Sequence, residues 1–174
     1  MPKSYTNLIQ TLVTAALLCG FGLSARAADS LYDSQSASYP DSRMVSIFGP
    51  RSGGIRYDKR MIKAAQIAQD RARAHSVARC WGYVKNALLA AEVVESRPTT
   101  AYAKQAGAEL LAKYGFRQLR SVKDPYKAPL GSVLVYGGRG AGHVEIRTRE
   151  GFVSDFASKT PSKRPLLGVY VKPS

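Results

Sequence analysis

Three short stretches of this 174-residue chain hold, in order, the residue types that a covalent hydrolase needs. Ser76-Val77-Ala78-Arg79-Cys80-Trp81-Gly82-Tyr83 offers a thiol, Gly142-His143-Val144-Glu145-Ile146 an imidazole, and Ser154-Asp155-Phe156 a carboxylate. A thiol attacks carbonyl carbon only as thiolate, and its pKa of ~8.5 falls at a helix N-terminus or beside an imidazolium. Cys80 stands at the start of an amphipathic segment, so unpaired N–H groups and the positive end of the helix dipole lie near its sulfur. Its own N–H is then placed to hold the oxyanion of a tetrahedral intermediate. A free cysteine is often only a small buried hydrophobe. In an exported chain thiols are normally paired, and Cys80 has no partner once Cys19 leaves with an N-terminal leader, which favours a reactive role.

The base must be one of two histidines. His75 falls at the end of a helical pattern, five residues before Cys80, where a solvated or capping imidazole is the ordinary expectation. His143 opens a strand after the glycine-rich Gly137-Gly138-Arg139-Gly140-Ala141-Gly142, where little side-chain bulk blocks a cleft. Alternation along that strand puts Val144 and Ile146 on one face and His143, Glu145 and Arg147 on the other. If Phe152 and Phe156 share the apolar face with Val144, the connection Arg149-Glu150-Gly151 is an odd hairpin loop and Asp155 faces His143. Asp155 then orients the imidazole, with Glu145 on the same face as the competing acid.

The elements that position these groups follow from hydrophobic period. Asp58 caps a helix running to about His75 on a stripe of Met61, Ala64, Ala65, Ala68 and Ala72. A second helix, about Val77 to Val94, aligns Cys80, Val84, Ala87, Leu88 and Ala91 on one face. A third, about Thr100 to Tyr114, buries Ala103, Ala106, Leu110 and Leu111 and stops at Gly115, suited to a left-handed cap. The period then becomes alternating, with strands over 132–136, 143–148, 152–156 and 167–171. Helices first and an antiparallel sheet second predicts an α+β domain over 58–174. The glycine-rich loop leads into a strand and not a helix, so it lacks the helix N-terminus of a phosphate cradle and serves as the rim of a cleft.

Residues 1–27 have the form of a signal peptide, with Lys3 in a polar n-region, an apolar run from Leu8 to Leu23 and the small-x-small Ala25-Arg26-Ala27. The run falls short of the ~20 apolar residues that span a bilayer, so no transmembrane anchor is expected. The mature chain is expected to begin at Ala28, with 28–57 a loose Ser-, Asp-, Tyr- and Gly-rich arm. Without Lys3 and Arg26 the 26 basic residues become 24 against 12 acidic, a formal charge of +12. For an exported protein such charge favours cell-wall polymers and other anionic envelope surfaces over nucleic acid. With no run of five or six like charges, lysines and arginines that merely solvate helix surfaces are the alternative. No His, Cys and carboxylate spacing suggests a zinc site.

With these residues in this order, the chain from about Ser76 to Pro173 resembles the papain-like cell-wall peptidases of the NlpC type and, more distantly, the CHAP amidase domains. The likeness rests on the Cys80-Trp81-Gly82 helix start, on Gly131-Ser132-Val133-Leu134-Val135-Tyr136 leading to Gly142-His143-Val144-Glu145-Ile146, and on Asp155 after the histidine. It implies Cys80 as nucleophile, His143 as base, Asp155 as orienter, no cofactor, and peptidoglycan stem peptides as substrate. In that family the third position is usually His, Asn or Gln, and the residue before the cysteine is often Asp where this chain has Arg79. The expectation is an exported peptidoglycan hydrolase working through a Cys80 thioester. A non-catalytic basic wall-binding protein and a cysteine acyltransferase or deamidase are the alternatives.

Overall fold

The structure is a computed structural model and describes residues 50–52 and 54–174. The expected signal peptide and most of the expected arm lie outside the described residues. Among those described, no helix is long and apolar enough to cross a membrane. The last residues of the expected arm form a two-stranded ribbon, β1 (Arg51–Ser52) with β2 (Ile55–Arg56). Tyr57 follows it into the core, donating its hydroxyl to the Leu130 carbonyl.

Three helices come next, α1 (Arg60–Asp70), α2 (Cys80–Ala90) and α3 (Ala106–Tyr114). The sheet follows, with β3 (Arg117–Gln118), β4 (Val133–Tyr136), β5 (His143–Arg147), β6 (Phe152–Val153), β7 (Ala157–Ser158) and β8 (Leu166–Val171). Its order is β3-β8-β4-β5-β6-β7, with every neighbouring pair antiparallel. The architecture is therefore α+β and papain-like, with the helix that begins at Cys80 packed on the strand that begins at His143.

Each helix is shorter than its hydrophobic pattern, for tertiary reasons at the end of α1 and the start of α2 and for local ones elsewhere. Asp58 accepts the Arg60 N–H at 2.8 Å, as a capping residue does, and the stripe Met61, Ala64, Ala65, Ala68 is buried. α1 ends five residues before His75 because the chain turns to bridge the sheet, Arg73 N–H donating to the Asp155 carbonyl at 2.8 Å. α2 begins at Cys80 and not at Val77, since the amides of Val77 and Arg79 are held by the Asp155 carboxylate. It closes with Glu92 at φ 61° while Val93 N–H returns to the Leu88 carbonyl, a Schellman turn whose two apolar ends are both buried. α3 is preceded by a 3-10 turn over Ala103–Gln105 and ends at Gly115 with φ 66°, the left-handed cap that the sequence predicts. Leu111, expected inward, is 42% exposed.

The core runs between α1, α2, α3 and the sheet, and both sheet faces contribute buried residues: Val133, Val144 and Ile146 on one, Leu134, Tyr136 and Phe152 on the other. α1 and α2 pack on each other, and their buried alanines Ala64, Ala65, Ala68 and Ala87 belong to one core. A buried polar cluster ties the start of α2 to α3. Trp81 Nε1 donates to Thr100 Oγ1 at 3.0 Å, and Lys85 Nζ donates to the Thr100 carbonyl. Glu109 accepts from the amides and hydroxyls of both Thr99 and Thr100 over 2.6 to 3.0 Å. Burial by itself would push the Glu109 carboxyl up, but these hydrogen bonds outweigh it and hold the pKa at about 2 against an ordinary 4.5. A carboxylate with a depressed folded pKa contributes stability that is present above its unfolded value and is lost as pH falls through the folded one. Thermal melts should therefore show Tm falling between pH 4.5 and pH 2. Glu109→Gln should lower Tm at neutral pH and flatten that acid slope; an unchanged slope would show that other carboxylates carry it.

Candidate active site

Cys80 is the first residue of α2 and His143 the first of β5, and the packing of that helix on that strand brings the two side chains together. The thiol is partly buried and unpaired by any disulfide. His143 reaches it because Gly142 lets the preceding loop press inward. With φ 77°, a Cβ at Gly142 would lie 2.5 Å from the Tyr136 carbonyl oxygen and 2.7 Å from Lys104 Cβ, so only glycine fits. The Ala141 carbonyl accepts the Lys104 N–H at 2.9 Å, which pins the glycine-rich rim to the turn before α3.

Burial pushes the Cys80 thiol up, yet the hydrogen bond and charge of His143 and the amides of Val144 and Trp81 together bring it below its ordinary value. Burial likewise pushes His143 down, and here too partners prevail. Hydrogen bonds and charge from Cys80 and Glu145 raise the imidazole from 6.5 to about 9. The two shifts have one cause, since each charged form is the other's counter-ion. Both shifts favour the thiolate and imidazolium forms, in which the sulfur is a nucleophile and the ring a proton donor.

The carboxylate on the imidazole is Glu145. Its Oε2 lies 3.3 Å from His143 Nε2, its Oε1 accepts from the Tyr136 hydroxyl at 2.6 Å, and the Ser162 N–H approaches Oε1 at 3.3 Å. Tyr136 is fully buried beside it, opposite His143 on β4. Burial and the adjacent Glu145 keep that phenol protonated, so it serves as a fixed donor.

Asp155 is not brought to His143. The hairpin between β5 and β6 pairs Ile146 with Val153 and Arg147 with Phe152, and Thr148 N–H bonds to the Gly151 carbonyl. Only Arg149 and Glu150 are left in the turn, so the loop is even where the sequence reading takes it as odd. A one-residue slip moves every side chain of a strand to the opposite face. Phe152 accordingly lies on the Arg147 face, with the guanidinium 4.8 Å from its ring centroid, and pairing in β6 stops at Val153. The Asp155 carboxylate, fully buried, accepts instead from the amides of Val77 at 2.7 Å and Arg79 at 3.1 Å, and from the hydroxyls of Ser76 at 3.1 Å and Ser154 at 3.0 Å. Within that loop Ala78 is left-handed at φ 57°, a conformation costing an alanine of order 1 kcal/mol.

His75 is exposed. Among the described residues no group of three or more His, Cys, Asp or Glu could hold a metal ion. Glu145 was visible in the sequence as the second acid on the His143 face. Tyr136 and the Ser162 amide carried no signal, because their role depends on which strand lies beside which.

One structural comparison bears on this arrangement. The chain is similar to the effector of the type VI native effector–immunity complex Tae3–Tai3 from Ralstonia pickettii, at 27% identity over 64% of this chain and 98% of that chain, with a TM-score of 0.51. A selenomethionine structure of the same complex aligns over 63% of this chain at 27% identity, with a TM-score of 0.49. No protein-family model and no curated protein matches the chain.

Proposed function

We propose that this protein is a peptidoglycan hydrolase that cuts an amide or peptide bond of the stem peptide or cross-link through a thioester on Cys80. The observation that carries this reading is the Cys80–His143 pair with the Glu145 carboxylate 3.3 Å from the ring's Nε2. The Cys80 thiolate adds to the carbonyl carbon, and the carbonyl oxygen takes the negative charge, facing the Cys80 N–H that the first turn of a helix leaves unpaired. Collapse of the tetrahedral intermediate breaks the C–N bond as His143 gives its proton to the leaving nitrogen. The neutral imidazole then takes a proton from water, the hydroxide attacks the thioester, and Cys80 departs as thiolate with the imidazolium restored. Glu145 holds the ring's orientation and stabilises its charged form throughout.

The substrate class is supported by the charge around the cleft and by the likeness of the sequence to cell-wall peptidases. Lys104 packs on the glycine-rich rim, the Arg164 guanidinium donates to the Arg139 carbonyl within that rim, and Lys163 follows the Ser162 that bonds Glu145. All four cations are exposed, and residues 102–105, 137–142 and 159–165 contain no acidic residue. Stem peptides carry free carboxylates that such a rim attracts. The proposed place of action is the periplasm or the cell exterior. The similar effector is held in a complex with an immunity protein, and a cognate immunity protein is the partner we propose beside the wall itself.

Mass spectrometry of purified wall fragments incubated with the full chain tests the reading. One bond of the peptide part should be lost with the gain of one water per cut. A product carrying an added amine in place of water would assign an acyltransferase. Unchanged masses, with the fragments still retained by the protein, would assign a binding protein on a peptidase fold.

A further inference from the structure

Asp155 has a claim on the site that does not pass through His143. Its Oδ2 gathers three donors from the loop immediately before the nucleophile, the amides of Val77 and Arg79 and the hydroxyl of Ser76, while Ser154 binds Oδ1. Ser76 Oγ in turn approaches the Ala78 N–H at 3.3 Å. The loop needs such an anchor for three reasons. All four of its residues are exposed, so no apolar burial holds it. Ala78 lies in the left-handed region at φ 57°, unfavourable for a residue with a Cβ. Arg79, at the N-cap of α2 with φ −124° and ψ 29°, supplies no side-chain cap. Helices usually draw that cap from a Ser, Thr, Asp or Asn in the chain just before them; α2 has none, and the loop that leads into it is held by a carboxylate 76 residues beyond Arg79.

We propose that Asp155 is a positioning residue for Cys80, its carboxylate fixing the loop Ser76–Arg79 so that α2 begins where the thiol meets the His143 ring. This rests on the reading of Cys80 as nucleophile. The bonds are distributed to suit the task. The carboxylate takes the amides of Val77 and Arg79, one turn too early to cap the helix proper, and leaves those of Cys80 and Trp81 to the acyl oxygen and the sulfur. It also couples the two halves of the fold, because the Asp155 carbonyl accepts the Arg73 N–H and so ties the end of α1 to the same point.

The test reads the geometry of the thiol without any substrate, by the pH dependence of Cys80 alkylation with iodoacetamide, and pairs it with kcat and KM on wall fragments. For Asp155→Ala, alkylation at pH 6 should slow by about tenfold as the thiolate loses its amides and imidazolium, with kcat falling by a similar factor and KM within about twofold. Asp155→Asn should restore most of both, since the amide oxygen still accepts from Val77 and Arg79. Ser76→Ala, which leaves Asp155 in place and loosens only the loop, should move both readouts in the same direction by a smaller factor. If Asp155→Ala lowers Tm but keeps the wild-type alkylation profile and kcat per folded molecule, the residue is structural only and the proposal fails. If Asp155→Asn, which keeps an acceptor for the Val77 and Arg79 amides, is as impaired in both readouts as Asp155→Ala, holding the loop is not what Asp155 does and the proposal fails in the other direction. Should Asp155→Ala not fold, Ser76→Ala and Asp155→Asn decide by the same criteria. A wild-type protein that cuts no wall fragment yet shows fast, Asp155-dependent alkylation would retain the positioning role and lose the hydrolase reading.

Discussion

Replacing Cys80 with alanine is expected to lower kcat on wall fragments by at least about three orders of magnitude while binding to whole walls is retained. The sulfur forms the covalent bond in both half-reactions, so no neighbouring group can take its place, whereas the basic rim of Lys104, Arg139, Lys163 and Arg164 is untouched. The same pair sets the pH dependence of the wild type. Activity should rise with pH through the depressed thiol value, because the sulfur must lose its proton, and fall again near 9, because His143 must keep its own. The result is a bell whose alkaline limb reports the imidazolium. Alkylation of Cys80 should abolish turnover in proportion to the thiol modified. Turnover that survives complete alkylation, or a variant lacking the thiol that still releases peptide, would remove Cys80 from the mechanism.

Glu145 gives the second large effect. Glu145→Ala deletes the acceptor on His143 Nε2 and strands the buried Tyr136 hydroxyl, so kcat should fall by about a hundredfold or more and stability by ~1–3 kcal/mol. Glu145→Gln keeps the shape. It can still accept from the imidazole N–H, but it removes the negative charge that helps raise His143 to about 9. Its distinctive signature is therefore a pH profile whose alkaline limb moves to lower pH, with a milder loss of kcat. Tyr136→Phe should shift the profile less and leave the Glu145 carboxylate on His143. A Glu145→Gln enzyme with an unmoved alkaline limb and kcat within about threefold of wild type would show that this carboxylate does not act on the imidazole. The contrast with Asp155 is sharp in the same assay, since Asp155 is expected to move the thiol's titration and Glu145 that of the imidazole.

Much of this was written locally in the chain. Met61, Ala64, Ala65 and Ala68 mark the buried stripe of α1, and Val84, Ala87 and Leu88 that of α2, because a helix must bury every third or fourth residue whatever it packs against. Gly115 stops α3 for a reason internal to its own backbone. The placing of Cys80 near the N-terminal end of a helical stripe and of His143 at the head of an alternating segment is equally local. What lay beyond the sequence were the relations between elements. Whether the β5–β6 turn holds two residues or three decides which face Asp155 occupies, and Arg149-Glu150-Gly151 suits either; the choice falls to the pairing of Arg147 with Phe152 and to the docking of Arg73 on the strand end. The exact start of α2 was likewise undetermined by its own residues, since the loop before it is held by a carboxylate far along the chain. Residue type and period thus singled out Cys80 and His143, while register and packing, which depend on contacts between distant residues, decided that the Glu145 carboxylate meets the imidazole and the Asp155 carboxylate the loop before Cys80.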